Sequence, residues 1–477
     1  MLDILIDDSS SILDVLKKIT KSGLGIVFVT NGKKVIGTIT DGDFRRKISE
    51  RGSIELILSE VVNKEFRFVT VMSSPEEVQR TFDEGVEYVP LLDLNGNLIR
   101  ILERHEKPVI PVCEPNVGIE EKNIISEILD SGWISSTGRF VYEFESIFAN
   151  YVGARHAVAV SNGTLGLVLA LKLLDVGEGD EVIVPNLTFG ATANAVIQCG
   201  AKPIFVDIEY NSYSINLEHV KQVISPKTKA ILPVHLYGYP VNMIELCQFA
   251  QQHGIKIIED AAEAIGSRIN GKHVGSFGDV GVFSFYANKT ITTGEGGMIV
   301  FNDSALLEAA NKMRAHGFST KKRYWHDTWG SNFRLTNLQA GLGVAQMSRV
   351  DDFVDAKVSI NQFYREHLVD KVDKILQFPA SRKGVFDSHW LSVIQFEESI
   401  EVDQLTNFLQ INGVETRRVF YPLHIQPAFA PYAKHAGSFP NAMRVHEHGL
   451  CLPSSTKIKM DELEKVCLLI IKYLEGI

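Results

Sequence analysis

Short apolar segments alternate with stretches of helical periodicity between residues 155 and 303, and no other feature constrains the fold of this chain as strongly. The apolar segments have the length and composition of buried strands and read HAVAV, EVIVP, PIFVD, KAILPVHL, IKIIED, VGVFSF and MIVF. Segments of helical period, such as TLGLVLALKLL and MIELCQFAQQHG, lie between several of them. Because strands that alternate with helices form parallel sheets covered on both faces, we predict an α/β domain around a mostly parallel sheet.

The first hundred residues predict a separate, duplicated unit. A helix-like segment, SILDVLKKITKSG, is followed by the strand GIVFVT, an Asn31-Gly32 turn and the strand KVIGTIT. The same order returns more loosely in PEEVQRTFDEG, VEYVPLLD, an Asn95-Gly96 turn and LIRILE. Asn-Gly between two apolar strands is a hairpin signal, and its repetition indicates an internal duplication. Residues 1–104 therefore resemble a tandem CBS module, which implies an α+β domain.

Three further segments complete the predicted organisation of the 477-residue chain. Residues 105–118 contain three prolines and are predicted to form a linker. Residues 119–345 hold the strand–helix alternation and are predicted to form the large domain. Residues 346–477 are more helical, contain the closing helical segment MDELEKVCLLIIKYL, and are predicted to form a smaller C-terminal domain.

The charge of the chain argues against several classes of partner. Lys and Arg number 48 against 58 Asp and Glu, a net charge of -10, so we expect neither a nucleic acid nor a membrane as partner. Five cysteines are scattered without a CxxC pair, which argues against disulfides and metal clusters and for a reducing compartment. The segment MLDILIDDSS is acidic where a signal peptide is basic, and no apolar run reaches 18 residues. We therefore expect a cytoplasmic protein.

Two candidate site features follow strands of the predicted sheet, at the strand ends where α/β proteins bind their ligands. The segment SNGT at 161–164 opens a helix, and its Gly163 and Thr164 predict an anion site unless the turn is purely structural. Asp260 ends the strand IKIIED, where a buried carboxylate is costly unless it is paired. Asp260 is either a helix N-cap for the segment AAEAIG or the partner of a cationic ring nitrogen.

Two more features lie further along the chain. Lys289 follows the strand VGVFSF in YANKTITTGEGG, and its apolar neighbours and the Gly-rich turn predict partial enclosure. Enclosure favours the neutral amine that Schiff-base chemistry needs, whereas a lone lysine is otherwise a solvated charge. Asn332 and Arg334 precede a helix, where Arg334 is a surface charge or an anion clamp. A phosphate cradle, a ring-nitrogen carboxylate and a lysine 29 residues later together predict pyridoxal 5'-phosphate as the cofactor.

Six segments resemble those of the DegT/DnrJ/EryC1/StrS family of sugar aminotransferases, which are pyridoxal phosphate enzymes of fold-type I. The segments are HAVAVSNGT, GDEVIVPNLTFGATANAV, KAILPVHLYGYP, IIEDAAEAIGS, GDVGVFSFYANKTITTGEGGM and NFRLTNLQAGLG. The resemblance extends from about Ile110 to the C-terminus. It implies a fold-type I aminotransferase with a mostly parallel seven-stranded sheet and a smaller C-terminal lobe.

Within the family, the chain resembles the GDP-perosamine synthases in the Lys289 segment, in RYWHDTWGSNFRLTN and in ETRRVFYPLH. The resemblance implies ping-pong transfer of an amino group from L-glutamate to C4 of GDP-4-keto-6-deoxy-mannose, and a place in O-antigen biosynthesis. The family usually has Arg-Pro where this chain has Arg417-Arg418. A UDP- or dTDP-linked keto sugar is the alternative acceptor. A non-catalytic, nucleotide-sensing regulator on the same fold is the alternative function.

The resemblance also implies roles around the cofactor ring. Lys289 would form the Schiff base and move the proton between the two half-reactions, and Asp260 would keep the ring nitrogen protonated. Phe189 would stack on the ring, and Glu263 would lie beside the ring hydroxyl, where many relatives have Gln. Because related dehydratases carry His where this chain has Lys289, the resemblance favours transamination over dehydration.

Further implied contacts concern the cofactor phosphate. Gly163, Thr164 and Ser284 would bind the phosphate in the same subunit. Asn332 would reach the phosphate of the neighbouring subunit's cofactor. A contact of that kind implies a homodimer or a higher homo-oligomer with shared active sites.

Motif positions point to Trp133, Arg334 and His424 as substrate-binding residues. Alternatively, Trp133 is a packed core residue and His424 is a loop histidine with its hydrogen bonds satisfied. In the N-terminal module, Thr40 and Asp43 match the T-x-x-D pattern with which CBS domains hold ribose and phosphate, and the second repeat lacks that pattern. The module is therefore either a site for a regulatory adenine or guanine nucleotide, or a rigid appendage or dimerisation block.

Overall fold

The computed structural model of the chain describes residues 4–51, 57–70, 73, 75–83, 85–93, 95–104, 110–319, 321–322, 324–369, 371, 375–380, 382–433 and 437–476. The chain divides into two compact units, Met1–Val109 with Asp403–Gly413, and Ile110–Val402 with Val414–Ile477. None of the described helices is both long and apolar enough to cross a membrane.

The first half of the N-terminal unit is a three-stranded sheet with one connecting helix. Leu5–Asp7 pairs in parallel with Ile26–Asn31, which pairs antiparallel with Lys34–Thr40. The helix Ile12–Ser22 connects the parallel pair. Gly32 turns the hairpin with a φ of 61°, a backbone conformation that favours glycine.

The second half of this unit repeats the same order of elements. Val69–Thr70 pairs in parallel with Tyr88–Leu92, which pairs antiparallel with Leu98–Glu103. Pro75–Asp83 is the connecting helix, and Gly96 turns the hairpin with a φ of 79°. The α+β module with an internal duplication, predicted from the sequence, is therefore present. The other helices whose residues fall in this unit, wholly or mostly, are Asp41–Arg51, Leu58–Val61 and Val402–Ile411.

A seven-stranded sheet forms the centre of the second unit, and each strand corresponds to one of the predicted apolar segments. Across the sheet the strands are His156–Val160, Gly297–Phe301, Val280–Ser284, Lys256–Asp260, Thr228–Ile231, Glu181–Pro185 and Lys202–Val206. All neighbouring pairs are parallel except the two made by the second strand of this order. The predicted mostly parallel α/β sheet is thus confirmed.

The antiparallel strand Gly297–Phe301 has a direct structural reason. It follows its neighbour Val280–Ser284 after a short loop, residues 285–296, which contains Lys289. A parallel connection needs a crossover to the far end of the sheet, usually through a helix, and no helix lies in this loop. The chain therefore turns back directly into the adjacent strand Gly297–Phe301, and the loop places Lys289 at the carboxyl end of Val280–Ser284.

The sheet separates two apolar cores because successive side chains of a strand point to opposite faces. Val158 and Val160 belong to one core, whereas Ala157 and Ala159 belong to the other. The helix Gly163–Leu173 contributes to the first core and Arg139–Val152 to the second. The other helices of this unit are Ile119–Ser131, Ala191–Gln198, Leu217–Val223, Met243–His253, Ala305–Arg314, Asn337–Met347, Val350–Leu368, Ala430–Ala433, Pro440–His448 and Met460–Glu475.

The C-terminal part contains an antiparallel sheet that the sequence analysis did not predict. Its strands follow in the order Ile375–Gln377, Ser392–Phe396, Gly449–Leu452 and Arg417–Arg418. These strands are only two to five residues long, so their alternation is too short to identify from periodicity. A smaller three-stranded sheet comprises Lys272–His273, Arg268–Ile269 and Val385–Phe386.

Candidate active site

Asp260 is the last residue of a central strand and is only 5% exposed. Its Oδ2 accepts a hydrogen bond of 2.9 Å from the Thr192 hydroxyl, and its Oδ1 accepts one of 3.2 Å from the backbone N–H of Ala262. Burial raises the pKa of Asp260, and the nearby Lys289 lowers it. The segment after Asp260 forms turns instead of a helix, so the alternative that Asp260 caps a helix is wrong.

Lys289 lies close to a second buried carboxylate, that of Glu263. Its Nζ donates to Glu263 Oε1 at 3.1 Å, and the backbone N–H of Tyr237 donates to Glu263 Oε2 at 2.9 Å. Burial raises the pKa of Glu263, and the charge of Lys289 lowers it. The Lys289 side chain is 12% exposed, which agrees with the predicted enclosure and excludes a freely solvated surface charge.

The helix Gly163–Leu173 begins beside Ser284, the last residue of a neighbouring strand. A Cβ at Gly163 would lie 3.0 Å from the Ser284 Cβ, so the backbone approaches Ser284 closely and a larger residue would require a small shift. Thr164 lies in the same first turn, whose backbone N–H groups have no partner within the helix. The Ser161 hydroxyl, just before this turn, is buried without a hydrogen-bond partner. These groups could hold an anion.

Phe189 lies in the loop after the strand Glu181–Pro185 and is 60% exposed. Its backbone carbonyl accepts from the N–H of Thr192, the residue whose hydroxyl binds Asp260. The ring of Phe420 lies 5.8 Å from the Phe189 ring. Phe189 thus presents a large exposed aromatic surface just before the helix Ala191–Gln198, whose Thr192 binds Asp260, and such a surface suits a planar ligand ring.

Asn332 and Arg334 contact each other. The Arg334 Nε donates to Asn332 Oδ1 at 3.0 Å, and its Nη2 lies 3.4 Å from His316 Nε2. Phe333, between them, accepts a backbone hydrogen bond from Ser161, which places this segment beside the start of the Gly163 helix. Asn332 therefore lies next to the candidate anion site of its own chain, and its predicted contact with a neighbouring subunit stays a prediction.

Trp133 and His424 have different surroundings. Trp133 is 56% exposed, so the alternative that it is a packed core residue is wrong. The Asn186 amide donates to His424 Nδ1 at 2.7 Å, and the backbone N–H of His424 donates to Asn186 Oδ1 at 3.0 Å. Burial lowers the pKa of His424. The alternative of a loop histidine with satisfied Nδ1 and N–H groups therefore agrees with the structure.

Two residues beside Lys289 were missed by the sequence analysis. The ring of Trp390 lies 3.6 Å from Lys289 Nζ, and the ring of Tyr237 stacks on Trp390 at 6.2 Å. Trp390 lies 101 residues after Lys289 in the chain, and nothing in its local spacing distinguishes it from a core aromatic residue. Tyr237 lies in the segment KAILPVHLYGYP used for the family resemblance, so only that resemblance could have pointed to it.

In the N-terminal unit, Thr40 and Asp43 bind each other. The backbone N–H and the hydroxyl of Thr40 each donate to Asp43 Oδ2 at 2.8 Å, and the N–H of Asp43 donates to the Thr40 hydroxyl at 3.2 Å. Arg46 forms an ion pair with Asp43 Oδ1 at 2.9 Å. These contacts start the helix Asp41–Arg51, and nucleotide binding by the pair stays a prediction.

Comparison with known proteins identifies the family. The model of the DegT/DnrJ/EryC1/StrS aminotransferase family matches residues 115–470, and the CBS domain model matches residues 3–50. This chain belongs to the DegT/DnrJ/EryC1/StrS aminotransferase family. The aminotransferase is 41% identical over 367 residues to a GDP-perosamine synthase of Vibrio cholerae, covering 76% of this chain and 99% of the relative.

Two further relatives define the range of similarity. A UDP-N-acetyl-3-dehydro-alpha-D-glucosamine 3-aminotransferase of Acidithiobacillus ferrooxidans is 37% identical over 358 residues, covering 74% of this chain and 93% of the relative. The crystal structure of the aminotransferase TlmJ from Streptoalloteichus hindustanus superposes with a TM-score of 0.73 at 32% identity, covering 77% of this chain and 99% of that one. The predicted fold-type I aminotransferase fold is confirmed.

The aminotransferase is a pyridoxal-phosphate-dependent sugar aminotransferase, as predicted from the sequence. The residues present fit the cofactor. The buried carboxylate of Asp260 lacks a cationic hydrogen-bond partner among its described contacts, as a site for a protonated ring nitrogen requires. The unpartnered Ser161 hydroxyl and the close approach at Gly163 suit the phosphate, and the exposed Phe189 suits the ring.

Proposed function

We propose that this aminotransferase transfers the amino group of L-glutamate to C4 of GDP-4-keto-6-deoxy-mannose, which gives GDP-perosamine. The observation that carries the choice of sugar is the 41% identity to the GDP-perosamine synthase of Vibrio cholerae, which extends over nearly all of that relative. The buried Asp260, Glu263 and Lys289 support the amino-transfer chemistry itself.

Four residues would hold the cofactor ring. When bound, pyridoxal phosphate supplies an aldehyde carbon that takes up an amino group and a ring that delocalises electrons from the neighbouring carbon. Asp260 would hold a proton on the ring nitrogen, and Phe189 would cover one face of the ring. Glu263 would accept a hydrogen bond from the ring hydroxyl, and Lys289 would hold the cofactor covalently.

Lys289 would also move the proton of each half-reaction. Its Nζ would take the proton from Cα of glutamate and later deliver a proton to C4 of the sugar. Glu263 Oε1, 3.1 Å from Nζ, orients the amine for both transfers. The low exposure of both side chains limits the access of water to the amine.

The phosphate and the sugar nucleotide would be held by residues nearer the surface. Gly163, Thr164 and Ser284 would bind the cofactor phosphate through backbone N–H and hydroxyl groups. We further propose a homodimer in which Asn332 reaches the partner's cofactor phosphate. Trp133, Arg334 and His424 would contact the sugar nucleotide.

The acceptor can be identified by mass spectrometry of the product. Purified protein with pyridoxal phosphate and glutamate would be offered GDP-4-keto-6-deoxy-mannose and UDP-4-keto-6-deoxy-N-acetylglucosamine in competition. We expect the mass change of amination on the GDP sugar alone. Lys289→Ala serves as the control without amino transfer. Amination of the UDP sugar alone would contradict the proposed acceptor and leave the amino-transfer chemistry in place.

A second candidate is the same 4-amination on a UDP- or dTDP-linked keto sugar. The 37% identity to a relative named as a 3-aminotransferase of a UDP-linked sugar supports the UDP-linked substrate, whereas that name places the amination at C3. The segment ETRRVFYPLH carries part of the resemblance to the GDP-perosamine synthases, but it has Arg417-Arg418 where the family usually has Arg-Pro. This departure weakens the argument for a GDP-linked sugar. The competition experiment above separates the two candidates because both acceptors are present in one reaction.

A further inference from the structure

Trp390 contacts both the side chain and the backbone of the Lys289 segment. Lys289 Nζ lies over the indole ring, 3.6 Å from its centroid. The indole Nε1 donates at 2.7 Å to the carbonyl of Asn288, the residue before Lys289. One side chain, 4% exposed, therefore restrains both ends of the lysine.

Trp390 is itself held from behind. Its backbone carbonyl accepts at 3.0 Å from the ammonium group of Lys357, which also donates at 2.9 Å to the carbonyl of Ser454. Lys357 is fully buried. The Trp390 ring also stacks on Tyr237, with ring planes inclined by 13°. Because all these groups are buried, the indole has little freedom to move away from Lys289.

Glu263 holds Lys289 Nζ through a second contact, and its own position is also fixed. The backbone N–H of Tyr237 donates to Glu263 Oε2, and Tyr237 adopts a φ of 55°. That conformation is uncommon for an aromatic residue and needs support from its surroundings. The stacked rings of Trp390 and Phe420 on Tyr237 give that support.

We propose that Trp390 is a positioning residue that holds Lys289 whenever its amine is not bonded to the cofactor. The proposal rests on the role of Lys289 given under the proposed function. A lysine side chain has four rotatable bonds, and restricting them in advance removes an entropic cost from each attack by Nζ. The Trp390 ring and Glu263 Oε1 together limit where Nζ can lie, and the indole N–H fixes the backbone from which the side chain extends.

The test uses cofactor-free protein and no sugar, so its outcome does not depend on the identity of the acceptor. When pyridoxal phosphate is added, Nζ bonds to the aldehyde carbon and one water is released. The change in visible absorbance measures the rate of this reaction. Pyridoxamine phosphate carries an amine in place of the aldehyde and cannot bond to Lys289. The affinity of the protein for pyridoxamine phosphate therefore depends only on the non-covalent contacts within the cofactor cavity.

We expect Trp390→Leu to slow capture of pyridoxal phosphate by roughly tenfold and to change the affinity for pyridoxamine phosphate by less than about twofold. Trp390→Phe keeps a ring but loses the N–H, and we expect it to restore part of the capture rate. Phe205→Leu removes a buried ring of the seven-stranded sheet whose described ring contact is with Phe429 and not with Lys289, and it should change neither quantity.

If Trp390→Leu weakened the binding of pyridoxamine phosphate by as large a factor as it slowed the capture of pyridoxal phosphate, the ring would only line the cavity. An unchanged capture rate would also overturn the proposal. If Trp390→Leu does not fold, Trp390→Phe decides the question by the same comparison. Capture by Lys289→Ala at the normal rate would instead contradict the role of Lys289 in the proposed function.

Discussion

Asp260 and Glu263 are buried carboxylates three residues apart, and the structure gives them different partners. Glu263 binds the amine of Lys289, whereas the described hydrogen bonds of Asp260 come from a hydroxyl and a backbone N–H. Burial raises the pKa of Asp260, so we expect its ionised form to lower the stability of the cofactor-free protein at neutral pH. This cost is expected where a ligand cation completes the site.

Asp260→Asn should raise the stability of the cofactor-free protein and lower the activity of the enzyme. Burial raises the pKa of Asp260 in the folded protein, so folding is penalised as the pH rises above the usual carboxyl range. Removing the charge should therefore raise the melting temperature of the cofactor-free variant at pH 7. The first half-reaction with glutamate should slow by about 100-fold or more, because a neutral amide cannot hold the ring nitrogen protonated.

The control for this variant is Asp387→Asn. Asp387 is another buried carboxylate, and burial raises its pKa to about 6, but the described charges that act on it are those of Arg382 and Arg365 and not that of Lys289. Its replacement should leave the rate of the glutamate half-reaction unchanged in stopped-flow absorbance. A normal rate in Asp260→Asn would contradict the role proposed for Asp260.

At the level of elements, the site depends on where the loops after three strands meet. Glu181–Pro185, Lys256–Asp260 and Val280–Ser284 end at one edge of the sheet, and the helix Gly163–Leu173 begins beside the last of them. Parallel neighbours bring their carboxyl ends to the same edge. This edge of the sheet therefore brings together three features that are far apart in sequence. They are the loop with Phe189, the carboxylate of Asp260 and the loop 285–296 with Lys289.

Gly163→Ala tests the junction between the helix and the strand. The new methyl group would lie 3.0 Å from the Ser284 Cβ and 3.4 Å from its hydroxyl, so the helix start or Ser284 must move. We expect pyridoxal phosphate affinity to fall by roughly tenfold with little loss of stability, since alanine favours helices. Gly177→Ala is the control, because nothing lies within 4 Å of its added Cβ. Equal affinities in the two variants would contradict the proposed phosphate site.

At the level of the whole molecule, the N-terminal unit repeats one fold, but only its first half carries the T-x-x-D pattern. Residues Asp403–Gly413 group with this unit, and Ile411 is buried with Val69 and Leu91 of its second sheet. The division into a large and a small aminotransferase domain at residues 345 and 346 stays a prediction, as does the linker 105–118, part of which lies outside the described residues.

We predict that the N-terminal unit binds a nucleotide at Thr40 and Asp43. Calorimetry of the full chain with AMP, ATP, GDP and GTP would measure it, and Asp43→Ala should abolish binding. Asp41→Ala removes an exposed carboxylate of the same helical turn without touching Thr40, and it should bind normally. The prediction is wrong if no nucleotide binds the unaltered chain, or if Asp43→Ala binds as tightly as that chain.

The seven strands, the duplicated module and the candidate residues Asp260 and Lys289 were all predictable from the amino-acid sequence. These features are local, because each depends on the periodicity of a short segment or on residues beside a turn. Even the enclosure of Lys289 followed from its apolar neighbours and a Gly-rich turn. The family and its cofactor followed from several such segments in one order.

The contacts and the exposure of these residues are known only from the tertiary structure. It showed that Asp260 starts no helix, that Trp133 is exposed, and that Trp390 lies against Lys289. It also brought short C-terminal strands into a sheet whose strand Ser392–Phe396 begins two residues after Trp390. Contacts between segments a hundred residues apart depend on how whole elements pack, and local sequence periodicity carries no information about that packing.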